Sequence, residues 1–211
     1  MKHIILILEG IDKTGKSTAI KSIKEQYENV HLMTGKHELY DQFRKPMDDY
    51  YKSITIELAQ DVISASKLST ILRSMFLIID AQPEKQHIFV FDRLILSAMI
   101  YAQMFRKSFF KVIWDGGEAY AEYAYAFEKV IEESRMFIQK TFIAIRPKGF
   151  EFEDDDDHRV KVSSSQMEKI NDIFKNVELA KGHYEYVKVD DLNIGILETR
   201  CIDFIDKNLA V

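Results

Sequence analysis

Short, unbroken apolar runs alternate along the chain with longer stretches whose apolar residues recur at helical spacing. The runs are Ile4–Leu8, a weaker one at Val30–Met33, Ile88–Phe91, Thr141–Ile145 and Tyr186–Val189. Each is flanked by polar or turn residues and reads as a short strand of a covered sheet. Helical patterns separate them: Lys16–Tyr27, a region from about Asp48 to Asp80, Leu94–Met104, Ala119–Ile138, Ser165–Asn176 and Ile194–Asn208. This alternation predicts an α/β fold, a parallel sheet of about five strands with crossover helices on both faces, three layers deep. The prolines Pro46, Pro83 and Pro147 fall at breaks between elements, and no repeat or proline-rich linker divides the chain. With 211 residues, 46% of them hydrophobic, one domain spanning 1–211 is expected.

Charge and cysteine content narrow the classes of function. A formal charge of −5 argues against a nucleic-acid binder, which needs a basic face to displace counterions. A small anionic ligand is still allowed, because a pocket can be positive in an acidic chain. The single cysteine, Cys201, leaves no internal disulfide framework and suits a reducing compartment, so the cytoplasm is the expected location. The apolar opening Ile4–Leu8 is too short for a signal peptide or a membrane span, and no membrane association is expected.

The segment Gly10-Ile11-Asp12-Lys13-Thr14-Gly15-Lys16-Ser17 follows the first strand directly and opens a helix. That is the context in which G-x-x-x-x-G-K-[ST] wraps the phosphates of a nucleoside triphosphate. Glycines let consecutive N–H groups converge on phosphate oxygens, and the helix N-terminus adds its positive end. Lys16 is expected to bridge the β- and γ-phosphates and Ser17 to offer its hydroxyl to Mg²⁺. The fold expectation sharpens to a P-loop NTPase. A second charged site follows the third strand, where Phe91 leads into Asp92 and Arg93. In a parallel sheet that strand end lies beside the phosphate loop, so Asp92 can hold Mg²⁺ or its water, and the Arg93 fork suits the phosphate of a second substrate.

These residues resemble the thymidylate kinase family of nucleoside monophosphate kinases. Glu9-Gly10-Ile11-Asp12-Lys13-Thr14-Gly15-Lys16-Ser17-Thr18 is similar to its Glu-Gly-x-Asp-[Arg/Lys]-x-Gly-Lys-Ser-Thr, and Asp92-Arg93 with Ser97 and Tyr101 is similar to its Asp-Arg-Tyr-x-x-Ser-x-x-x-Tyr-Gln. More loosely, Ile71–Gln82 looks like the family helix whose phenylalanine stacks on the acceptor base. Tyr186–Asp190 and the helix after it look like its last strand and helix, whose connecting turn lies beside adenine. The resemblance implies phosphoryl transfer from ATP, with Mg²⁺, to a pyrimidine deoxynucleoside monophosphate, first of all dTMP. It implies a homodimer as well. Under it Asp12 faces the deoxyribose hydroxyl, Lys13 replaces a catalytic loop arginine, Arg93 holds the acceptor phosphate and Phe76 stacks on the base, with Ser97 and Tyr101 on the acceptor side.

The departures mark a divergent member, cellular or viral. The family's Arg-Glu-Pro-Gly-Gly after the second strand is replaced by Met33–Leu39, which leaves Lys36 and Arg44 as substitutes or as solvated loop charges. Where the family has an arginine reading thymine, this chain has Asp80. A carboxylate only accepts hydrogen bonds, so Asp80 facing the base would favour an exocyclic amino group, as in dCMP, or a hydroxymethylated pyrimidine. Alternatively Asp80 ends its helix in solvent and Arg73 or Gln82 reads the base. The resemblance implies a small lid over about 146–164, with Arg159 the first candidate to reach the transferring phosphoryl and Arg146 the second. Asp154–Asp157 in it read as a solvated loop tip or a second Mg²⁺ site. A broad-range kinase and, from another class, a nucleotide-binding switch without transfer activity complete the alternatives. Arg93, a second phosphate site, argues against the switch.

Overall fold

Eight consecutive buried residues, His3–Gly10, form β1 at the centre of the sheet. In the computed structural model the described residues are 1–33, 71–94, 96, 97, 100, 130, 131, 133–152, 163–176 and 184–209. After β1 come α1 (Lys16–Gln26), β2 (Val30–Leu32), a helix over 71–81 (α2), β3 (Ile88–Asp92), β4 (Phe137–Ile145), α3 (Ser164–Asn176), β5 (Tyr184–Lys188) and α4 (Ile196–Asn208). The five strands are parallel, in the order β2-β3-β1-β4-β5. This is the three-layer fold expected from the alternation. No helix among the described residues is long and apolar enough to cross a membrane.

The pleat sorts β1 between two cores. Ile4, Leu6 and Leu8 point to one face, packing against Ala19, Ile20 and Ile23 of α1 and Leu197, Cys201 and Ile205 of α4. Ile5 and Ile7 point to the other, against Met75 and Ile79 of α2 with Phe89 and Phe91 of β3. Further along that second face, Ile143 and Ile145 meet Met167, Ile170 and Phe174 of α3. A strand covered on both sides has no reason to alternate with polar residues, which is why it reads as a continuous apolar run.

The expected helix Ala119–Ile138 runs too far: its last residues belong to β4. Ser134 turns its hydroxyl back to the Ile131 carbonyl (2.8 Å), Arg135 takes a left-handed φ of 53°, and the chain enters the strand at Phe137. The first half of β4 carries Gln139 and Lys140, so no apolar run announces it. Lys140 is accommodated by an ion pair with Glu185 of β5 at 3.1 Å.

Three histidines meet where the strands begin. His87 Nε2 donates to the Gln82 carbonyl, which can only accept, at 3.0 Å. His87 Nδ1 and His31 Nε2 lie 3.0 Å apart. His3 Nδ1 accepts the His87 backbone N–H at 3.2 Å and so must be bare. That bond needs His3 neutral. Burial, then the charges of His87 and the chain N-terminus, hold His3 below its ordinary value of 6.5. A base whose folded-state value is depressed binds fewer protons in the folded than in the unfolded chain. Its contribution to stability is thus present above about 6.5 and lost as pH falls below it. The melting temperature is expected to drop between about pH 7.5 and 5.5. His3→Asn, which keeps an acceptor but cannot titrate, should flatten that drop; parallel wild-type and variant curves would refute the assignment.

Candidate active site

Beyond the carboxyl end of β1 the chain turns sharply. Gly10 has φ 116° and lies against β4, where a Cβ would meet the Ala144 carbonyl oxygen at 2.0 Å, so only glycine fits. Gly15, at φ 77°, caps α1 and leaves its first N–H groups facing the loop. Inside the loop Thr14 Oγ1 donates to the Ile11 carbonyl at 2.7 Å. Lys16 is 5% exposed, and its ammonium donates to the Gly10 carbonyl (3.2 Å), the Ile11 carbonyl and Thr14 Oγ1 (3.3 Å). Burial pushes Lys16 down to about 8 despite the opposing pull of Asp92 and Glu9. Ser17 and Thr18 are exposed in the first turn of α1.

β3 lies beside β1 with Asp92 opposite Leu8, so the loop and Asp92-Arg93 open at the same sheet edge. Arg93 takes a left-handed φ of 65°, its N–H donates to the Leu8 carbonyl at 2.9 Å, and its guanidinium is ion-paired with Asp12. A non-glycine residue in that region is held there by its surroundings, and such residues cluster at functional sites. Burial raises the Asp92 carboxyl above its ordinary value while Lys16 pulls it down. A partly desolvated carboxylate facing the phosphate loop is suited to a cation, so the residues fit the Mg²⁺ implied by the loop motif. Among the described residues no group of three or more His, Cys, Asp or Glu forms a self-sufficient metal cage.

Beneath the site, Glu9 is 2% exposed and accepts the N–H groups of Leu94 (3.0 Å), Leu96 (3.1 Å) and Ser97 (2.9 Å) together with the Ser97 hydroxyl. Burial pushes this carboxyl up, and those four donors pull it back. Glu9 thereby ties β1 to the backbone that follows Arg93. Its place before the loop glycine was visible in the sequence, but a partner 88 residues away was not.

Not every expected site residue gathers here. Asp12, Lys13, Thr14, Lys16, Ser17, Asp92 and Arg93 do. Ser97 is buried on Glu9 with its hydroxyl engaged. Phe76 packs edge-on against Phe137, with ring centroids 6.1 Å apart. Phe137 pairs in register with His3, at the far end of β1 from Gly10, about 23 Å of strand away at roughly 3.3 Å per residue. The Phe76 ring is half-buried, packed against the core on that face of the sheet. Asp80 lies further along α2 and is exposed. Gln82 follows it, and its carbonyl meets His87 at the starting end of the strands. Neither adjoins the phosphate loop. Arg73, near the opposite end of α2, is exposed. Arg146 is 5% exposed, with its guanidinium on the Val189 and Lys13 carbonyls. Tyr101, Arg159, Lys36, Arg44 and Asp154–Asp157 lie outside the described residues.

A family model described as thymidylate kinase matches residues 8–137, well over half of the chain. None of the curated proteins matches. Among solved structures, thymidylate kinase from Candida albicans is similar, with 12% identity, a TM-score of 0.58, and coverage of 98% of this chain and 92% of that one. Thymidylate kinase from Ehrlichia chaffeensis is similar too, at 16% identity and TM-score 0.52, covering 98% and 99%. At such identities the structures speak for the fold, whereas the family model takes in the phosphate loop's Gly10–Ser17 and Asp92-Arg93 together. The chain belongs to the thymidylate kinase family and is an ATP-dependent nucleoside monophosphate kinase.

Proposed function

We propose that the protein transfers the γ-phosphoryl of ATP to the 5′-phosphate of a pyrimidine deoxynucleoside monophosphate, with dTMP as the first candidate. The observation that carries this reading is the Arg93–Asp12 pair, a planar cation fixed one strand away from the phosphate loop. Arg93 binds the acceptor phosphate, and Asp12 orients both that guanidinium and the sugar hydroxyl. Lys16 neutralises charge on the donor's β- and γ-phosphates, and Lys13, exposed at the rim, approaches the transferred group. Ser17 and Asp92 would hold Mg²⁺, which when bound draws the phosphates together and offsets their charge. Little covalent chemistry is asked of the protein, since alignment and charge neutralisation supply the rate. Arg159 remains the candidate to complete the site from the lid, and Tyr101 the candidate for a further acceptor contact. A homodimer in the cytoplasm is proposed on the resemblance.

The dCMP or modified-pyrimidine alternative draws its support from Asp80, which is exposed near the end of α2. Broad acceptor range stays in view, because the Candida albicans neighbour is a thymidylate kinase of broad substrate specificity. A switch without transfer would have no use for Arg93. ADP release should be stimulated by at least one of the four deoxynucleoside monophosphates, dTMP foremost; no turnover with any of them would sink the proposal. Arg93→Ala removes a charge-assisted contact worth about 1.5–3 kcal/mol, so the KM for the acceptor should rise roughly 10- to 100-fold. The KM for ATP should change little, and equal damage to both would place Arg93 on the donor instead.

A further inference from the structure

Arg146 follows the last residue of β4 and is among the few buried charges in the described structure. Its backbone is gripped from both sides by Asn171 of α3, itself 1% exposed. The Arg146 N–H donates to Asn171 Oδ1 at 2.8 Å, and Asn171 Nδ2 donates to the Arg146 carbonyl at 3.1 Å. With the main chain fixed, the side chain reaches two segments far apart in sequence. One terminal nitrogen donates to the Val189 carbonyl at 3.1 Å and lies 3.8 Å from Asp191; the other donates to the Lys13 carbonyl. The Phe150 ring covers the guanidinium face, 4.1 Å from its centroid.

We propose that Arg146 is a positioning residue for ATP, locking the Lys13 peptide of the phosphate loop to the turn that follows β5. Lys13 sits at φ 57°, a conformation that a lysine does not favour and that its surroundings must hold. In a planar trans peptide the C=O and the following N–H point in opposite directions. Drawing the Lys13 carbonyl inward to Arg146 therefore turns the Thr14 N–H outward, to the side where phosphate oxygens are received. The turn on the other end of the lock is braced by its own side chains. Asp190 Oδ1 accepts the Leu192 and Asn193 N–H groups (2.9 and 3.0 Å), and Asn193 Oδ1 accepts the Asp190 N–H (2.7 Å). The same turn abuts the loop, with the Ile194 carbonyl oxygen 3.1 Å from where a Gly15 Cβ would stand. Arg146 thus makes the loop and this turn a single rigid piece. Lysine is a poorer replacement, because its compact ammonium offers neither a planar fork spanning the two carbonyls nor a flat face to lie against Phe150.

The proposal rests on the reading of Gly10–Ser17 as the ATP phosphate site. Arg146→Ala and Arg146→Lys are compared with wild type by the KM for ATP, the KM for the acceptor, and amide hydrogen exchange at 11–16 and at 94–97. Arg146→Ala should raise the KM for ATP about tenfold or more and leave that of the acceptor within about twofold. Arg146→Lys should fall between. Exchange should quicken at 11–16 and stay unchanged at 94–97. If Arg146→Ala does not fold, Arg146→Lys decides by the same split. An unchanged KM for ATP, or both constants rising together with lost protection at 94–97, overturns the proposal. Wild-type protein that transfers nothing to any monophosphate would defeat the kinase reading, whereas active wild type with unaltered variants defeats only the lock.

Discussion

Lys16→Ala should lower turnover by about three orders of magnitude or more while leaving the fold intact. The ammonium is 5% exposed and is surrounded by the Gly10 and Ile11 carbonyls and Thr14 Oγ1, so it acts where water screens little. In the proposed reaction, negative charge grows on the oxygens that Lys16 faces as the γ-phosphoryl departs; Arg93 is paired with Asp12, Arg146 lies beneath the loop, and Lys13 is exposed at the rim rather than buried in the loop. Folding tolerates the change because burying this charge is itself unfavourable, the reason Lys16 falls to about 8. The same number gives a pH signature. ATP needs the charged lysine, so affinity is full below about 8 and lost as pH rises through it. The KM for ATP should climb up to tenfold per pH unit above that point in wild type, and stay level in Lys16→Arg, whose guanidinium does not titrate there. Turnover of the alanine variant near the wild-type rate would remove Lys16 from the mechanism.

The loop and the sheet were legible in the sequence for the same reason: their requirements are local. Gly10 and Gly15 appear where the backbone must take φ 116° and 77°, and the buried strands appear as apolar runs because both faces are covered. What failed to show depends on contacts between distant segments. The start of β4 carries Gln139 and Lys140, and nothing nearby discloses that Glu185 will pair with the lysine. Met75 and Ile79 of α2 face the core, but nothing in the sequence of 71–81 says which end of the helix approaches the loop. The expected place of Phe76 at the base comes from the resemblance, not from helical periodicity, and Asp80 stays open between the base and solvent. Arg146 reads as a lid candidate because the resemblance places a lid after the fourth strand. Only Asn171, Val189 and Lys13, brought together by three different elements, make it internal.

Gly10→Ala should be the most disruptive single-methyl change in the described structure. The added carbon would lie 2.0 Å from the Ala144 oxygen, 2.7 Å from its nitrogen and 2.8 Å from its carbonyl carbon. All three are backbone atoms of β4, and no side chain can swing aside to make room. Relief requires β1 and β4 to part at the register pair Gly10–Ala144, which would break the Ile11 N–H bond to the Ala144 carbonyl at 3.1 Å. A left-handed φ for alanine adds about 1–2 kcal/mol, and overpacking about 1–3 kcal/mol more. For a chain of this size the sum corresponds to a fall of roughly 5–15 °C in melting temperature. Gly195→Ala is the control, with φ −83° and nothing within 4 Å of the new carbon, and should stay within about 1 kcal/mol of wild type. Because Gly10 also begins the loop, the damaged protein should lose ATP turnover more steeply than stability. A Gly10→Ala protein that melts like wild type would mean that β4 does not pass against the phosphate loop at Ala144, and the floor on which Lys13, Thr14 and Lys16 are arranged would have to be redrawn.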